Sequence, residues 1–213
     1  MNTFAFLRFD LMSWLPRKQT LLPLGLIVVV GIALPVPGMA IVASAVVTSM
    51  MISAPFLADE RGRLDTLYGV LPLSRRSIVV GRAIAILTYY VLASAVAVVT
   101  TWAVAIARGS TIPFEIAGIS LAVGFAFIGL AMSLQLPVLF RIGYSRGRLI
   151  AYAPALVIAG VLWVNQTLGL IEFDGEFAAP VSLVLAAGFG IGALGFAVGA
   201  LIALRMYRTR ELR

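Results

Sequence analysis

The chain has 213 residues, about one domain's worth, of which 62% are apolar and 12% charged, with a formal charge of +7. A soluble domain carries roughly a quarter charged residues, and a chain this short has too much surface to hide so much apolar area from water, so the composition points to a bilayer as its solvent. Cysteine and histidine are both absent, which excludes disulfides, thiolate or imidazole metal sites and every catalytic triad built on histidine.

Residues 1–20 lack a small-residue cleavage site and contain Asp10, so the N-terminus is expected to be retained. On a helical wheel Asn2, Thr3, Asp10, Ser13 and Arg17 share one third of the circumference. Phe4, Phe6, Leu7, Phe9, Leu11, Met12 and Leu15 cover most of the rest. That pattern predicts an interfacial amphipathic helix along the inner membrane surface, broken at Pro16 before the first span.

A spanning helix needs ~20 mostly apolar residues. Six blocks qualify as expected spans: residues 20–35, 38–57, 77–106, 114–140, 149–170 and 180–204. Pro35 and Pro37 either end two helices at a tight outer turn or kink a single one. A single crossing over 20–57 is too long, which favours the turn. With six spans, fifteen of the sixteen basic residues fall on one face. Only Arg108 falls on the other, with Glu115, Glu172, Asp174 and Glu176. Lys and Arg flanking spans stay cytoplasmic, so both termini are expected inside. The charge therefore reads as an orientation signal, with a secondary grip on anionic lipid heads by the tail, and no nucleic-acid partner is expected.

Between spans two and three lies "FLADERGRLDTLYGVLPLSRR", residues 56–76. Leu64, Leu67, Tyr68 and Leu71 recur at i, i+3, i+4 and i+7, one face of a helix. Asp59 is expected as its N-cap, beside Glu60 at the positive end of the dipole. Pro72 stops the helix, and Ser74 then caps span three. The apolar stripe has three possible docking surfaces: lipid, the protein's own helix ends, or a partner.

The longer run "FLADERGRLDTLYGVLPLSRRSIVVGR", Phe56 to Arg82, resembles the signature of ABC-2-type transporter permeases, and the six-span layout resembles their small members without a fused ATPase. The resemblance implies an all-α membrane protein in a bacterial or archaeal cell membrane. It implies that the 2–3 segment is a coupling helix seated in a cytoplasmic ABC ATPase subunit, with Asp59, Glu60, Arg61, Arg63, Leu64, Asp65, Leu67 and Tyr68 as the contact. It also implies a homodimer, or a heterodimer with a related permease. The chain has no Gly-x-x-x-x-Gly-Lys-[Ser/Thr] phosphate loop, so ATP hydrolysis is expected from a separate chain, with no enzymatic activity and no cofactor here.

In the resembled family, spans two and five line the central cavity. That puts Ser44, Thr48, Ser49 and Ser53 of span two and Asn165 of span five on a candidate substrate path. Such hydroxyls also commonly bond their own helix backbone. Gly188, Gly192, Gly195 and Gly199 offer close helix contact in span six, either with a second copy or within the chain. No charge is expected mid-membrane, which disfavours an ion-coupled carrier and favours a bulky apolar or amphipathic cargo such as a peptide, drug or lipid-like molecule. Glu172, Asp174 and Glu176 read as solvated acids, not a metal site. The competing class is a non-transport accessory or assembly subunit of a membrane complex.

Overall fold

The computed structural model of the protein describes residues 3–34, 36–62, 74–168 and 180–208. The described residues form helices and their connections, with no strand among them. In chain order they are α1 (Thr3–Trp14), α2 (Lys18–Ala33), α3 (Met39–Met51), α4 (Ala54–Gly62), α5 (Arg75–Ala107), α6 (Phe114–Gly147), a 3-10 turn (Arg148–Ala151), α7 (Ala153–Leu168) and α8 (Val181–Arg208).

Among the described residues four helical stretches are long and apolar enough to cross a membrane. They are α3 with α4 (24 residues), α5 (33), α6 (34) and Val181–Tyr207 of α8 (27). The pair α1 and α2, bent by 78°, makes a fifth if counted as one broken span. The six expected spans are therefore not all reached on length. α2 and α7 have 16 residues each, about 24 Å at 1.5 Å per residue, against a hydrocarbon core of ~30 Å.

α1 is a separate helix, as Pro16 predicts, but the face it buries is Phe6, Asp10 and Trp14, one acid between two aromatics. Asp10 is 0% exposed while Phe4 is 73% and Met12 66% exposed. Thr3 Oγ1 lies 3.4 Å from Ser77 Oγ on α5. Among the described residues of the polar stripe Asp10 alone is buried, because it has a buried cation to meet, while Arg17 stays exposed.

The core joins α3, α4, α5 and α6 through Ile52, Phe56, Ile86, Ile128, Met132 and Leu136, and reaches α8 at Ala203 and Tyr207. α6 and α8 approach along a glycine seam. A Cβ at Gly188 would stand 2.8 Å from Ala122 Cβ, one at Gly199 2.8 Å from Met132 O, and one at Gly195 would collide with the backbone of Gly129. Of the two partners left open for these glycines, this structure supplies the intramolecular one. Backbones this close gain dispersion contacts that lipid cannot offer.

The ends of the bundle differ. Ser74 caps α5 as expected: it is extended (φ −74°, ψ 137°), and its hydroxyl oxygen accepts the Ser77 N–H at 3.1 Å. At this end the N-termini of α2 and α5, the C-termini of α6 and α8, and α4 bring Arg17, Lys18, Arg61, Arg75, Arg76, Arg141, Arg146 and Arg205 together. At the opposite end Arg108 Nη2 donates to Ile32 O at 2.7 Å. α2 starts beside Tyr89, whose hydroxyl donates to Thr20 O at 3.0 Å, and finishes at Arg108. It therefore runs alongside α5 from the basic end to the far one.

Candidate functional site at the basic end

The site forms where an apolar helix becomes charged. α3 ends at Met51, two turn residues follow, and α4 carries the acidic pair. On α4, Phe56 and Asp59 are three residues apart and share a face, which is buried. Asp59 is thus an interior residue of α4. The expected N-cap role fails because its carboxylate is drawn into the bundle, where Oδ2 accepts from Arg82 Nη1 at 2.5 Å.

Arg82 sits two turns inside α5 and is 1% exposed. Its second terminal nitrogen, Nη2, donates to Asp10 Oδ1 of α1 at 2.7 Å. One guanidinium therefore joins three helices, a task that suits its planar fork and would not suit an ammonium. The rings of Phe56, Phe140 and Phe6 lie 4.8, 5.9 and 6.0 Å from its Cζ. They keep water out and offer the cation their π-faces. Two carboxylates around one guanidinium leave the trio with a formal charge of −1. Asp10 Oδ2 is buried without a hydrogen-bond partner among the described residues.

Glu60, the next residue, leaves in another direction. Its carboxylate accepts the Ser145 backbone N–H at 2.9 Å and also the Ser145 hydroxyl. This reaches the end of α6 just past its break at Gly143, which has φ 77° and ψ 179°, a region open only to glycine. A Cβ at Gly143 would stand 2.9 Å from Glu60 Oε1. Gly143→Ala should therefore cost about 1–3 kcal/mol from the backbone alone. A lowered melting temperature in detergent is the expected result; an unchanged one would mean the break is not needed.

Two further bonds complete the end. Arg75 Nη1 donates to Tyr207 O at 2.8 Å, its guanidinium 5.7 Å from the Tyr207 ring centre, tying α5 to α8. Arg61, exposed, donates to Gln19 Oε1 at 3.2 Å, tying α4 to α2. Both flanks of residues 63–73 are therefore anchored, to each other by Asp59 and Arg82 and outward to α1, α2, α6 and α8.

Of the expected coupling residues, Asp59, Glu60 and Arg61 are placed in this way, and Arg63, Leu64, Asp65, Leu67 and Tyr68 lie outside the described residues. The α3 hydroxyls of the expected path are inside the chain. Ser44, Thr48 and Ser49 are buried and donate to their own helix, at Ile41 O (2.6 Å), Ser44 O (2.7 Å) and Val46 O (2.7 Å). Ser53 donates to Met50 O at 3.1 Å. Asn165 belongs to α7, and Glu172, Asp174 and Glu176 lie outside the described residues.

The sequence reading missed Asp10 and Arg82. Two signals were there. Asp10 is the only acid before Asp59, and Arg82 is a lone charge inside "SIVVGRAIAIL". Seventy-two residues separate them, and nothing local connects one to the other.

A family model described as an ABC-2 family transporter protein matches residues 8–208. The chain belongs to the ABC-2 transporter family. The match begins inside α1 and ends at the last residue of α8, so it includes Asp10, Asp59 and Arg82 of this ABC-2 protein. Searches of curated proteins and of solved structures each found no match. An ABC-2 membrane protein is the permease component of a transporter, and its family normally works with an ABC ATPase. The basic end described above belongs, then, to a multi-pass membrane permease.

Proposed function

We propose that this ABC-2 protein is the membrane half of an ATP-driven exporter of amphipathic or hydrophobic cargo, powered by a separate ATPase chain docked on residues 61–68. The anchoring of both flanks of the 63–73 segment carries this reading. A force applied there meets Arg82 and Glu60 at once, and through them α1, α5 and α6. In this scheme Asp59 and Glu60 hold the root of the contact. Arg61, Arg63, Leu64, Asp65, Leu67 and Tyr68 face the ATPase, a charged rim around a small apolar centre of the kind that regulated interfaces use.

Six spans, both termini cytoplasmic and a dimer complete the proposal. The course of α2 from the basic end to Arg108 supports counting it as a span. Cargo would pass near α3 and α7, with Ser44, Thr48, Ser49, Ser53 and Asn165 as the polar path. Because the α3 hydroxyls are closed inside one chain, they reach cargo only when α3 parts from its neighbours during the ATP cycle.

The test is affinity purification of the tagged chain from its native membranes. A nucleotide-binding ATPase subunit should copurify, and Leu67→Asp or Tyr68→Asp should deplete it about tenfold or more at equal permease recovery, since an unpaired charge buried at a contact costs several kcal/mol. Proteoliposomes of that complex should then move a labelled amphipathic peptide only with ATP. Full ATPase recovery with both variants sinks the docking role. Transport that follows a proton gradient without ATP sinks the exporter reading.

A further inference from the structure

We propose that the cleft between the α1–α2 elbow and the α3–α4 junction binds the headgroup of an anionic phospholipid. This cleft, of about 220 Å³, opens at the basic end. Met50, Met51 and Leu57 form its apolar floor, and Trp14 and Tyr152 stand on its walls. Among the described residues Arg17 is the only charged one lining it, and it is exposed. A second guanidinium reaches the rim indirectly: Gln19 lines the cleft, and its side-chain oxygen holds Arg61 Nη1 at 3.2 Å. Lys18, also exposed, adjoins Arg17. No carboxylate lines the space among the described residues.

The smaller cleft nearby makes the contrast. It holds about 80 Å³ and is lined by Asp59, Glu60 and Arg82, so both signs are present and pair with each other or with Ser145. The larger cleft has a single charge in its described lining, the cation Arg17. An apolar floor beneath a one-signed rim fits a molecule with a greasy body and a negative head. A tryptophan and a tyrosine on the walls are the residues that favour the headgroup level of a bilayer. Each basic residue near an anionic surface adds roughly a fivefold preference for it. A soluble phosphate ester would satisfy the rim but leave the floor uncovered, which is why the lipid is the occupant we assign. The inference goes beyond the transport reading and needs neither cargo nor ATPase.

Bromine on a lipid quenches tryptophan on contact, and the chain has three tryptophans. The full chain carrying Trp102→Phe and Trp163→Phe, reconstituted in vesicles, reports from Trp14 alone. Brominated phosphatidylglycerol should quench Trp14 at a mole fraction about fivefold lower than brominated phosphatidylcholine does. Arg17→Gln should erase that difference by removing the rim charge. Ala54→Phe, which fills the cleft and leaves every charge in place, should erase it too. Equal quenching by the two lipids in the parent protein overturns the proposal. So does a preference that survives Ala54→Phe, which would be surface charge without a site. If Ala54→Phe does not fold, Arg17→Gln still decides, because its side chain is exposed, and a preference it leaves intact is equally fatal. Displacement of the brominated lipid by inorganic phosphate, beyond that caused by sodium chloride at the same ionic strength, would assign the cleft to a soluble phosphate compound and overturn the lipid assignment.

Discussion

Arg82→Met should abolish most of the folded protein, with a cost of about 3–5 kcal/mol. The methionine fits among the phenylalanines without difficulty. The damage lies in what it leaves behind: Asp10 at 0% and Asp59 at 5% exposure, two carboxylates in an apolar shell with no cation between them. That cost is comparable to the whole stability of many domains, so the expected readout is a collapsed size-exclusion peak in mild detergent. A buried ion cluster replaced as a unit is often neutral or stabilising, whereas breaking it is not. Asp10→Asn and Asp59→Asn added to Arg82→Met should therefore restore much of the folded yield. If the single variant is as stable as the parent, the trio is not holding α1, α4 and α5 together. If the triple variant fares no better than the single one, uncompensated charge is not the cause of the loss.

Gly195→Leu should be the second most damaging change. Its Cβ alone would overlap the Gly129 backbone, which cannot move aside as a flexible side chain can, so the two helices must separate along the seam. Overpacking a tight contact costs typically 1–3 kcal/mol, and here the neighbouring glycines of the seam lose their contacts as well. α8 has much of its surface turned outward, with Leu183 and Leu194 largely exposed, so little else on the membrane side holds it. The expected result is a melting temperature lowered by several degrees and faster proteolysis near α8. Gly190→Leu is the control: it lies on the same helix, is exposed, and a Cβ there meets nothing within 4 Å. If both substitutions behave alike, close packing at Gly195 is not what holds the helix.

The regular parts of this protein were legible in its sequence because they follow one rule. Long apolar runs ended by charge become helices, so α5 and α6 lie where hydropathy puts them, and Ser74 caps α5 as its position before Arg75 suggests. The basic end was legible from the bias of Arg and Lys. What was not legible are contacts between distant residues that break the local pattern. The wheel of α1 put Asp10 on a polar side with Ser13 and Arg17, yet the structure buries it beside Phe6 and Trp14, because a wheel does not say what stands opposite. Asp59 had the position of an N-cap, and a buried guanidinium 23 residues later outbid the backbone for its carboxylate. Four of the five glycines of α8 announced a close approach without naming the partner. The α3 hydroxyls show the same limit: a polar strip is read identically whether it lines a path or satisfies its own helix.

The bond between Asp59 and Arg82 also has an entropic consequence. It fixes the separation of Gly62 and Ser74 before anything binds the residues between them. Any partner that grips this stretch finds its two roots already in place, so less chain freedom is lost on association. For a partner bound there, part of the affinity would be stored as preorganisation in the Asp59–Arg82 salt bridge. The folded variant that replaces the whole trio, Arg82→Met with Asp10→Asn and Asp59→Asn, should therefore grip a partner more weakly, and the loss would appear as a less favourable entropy of binding with little change in the area buried.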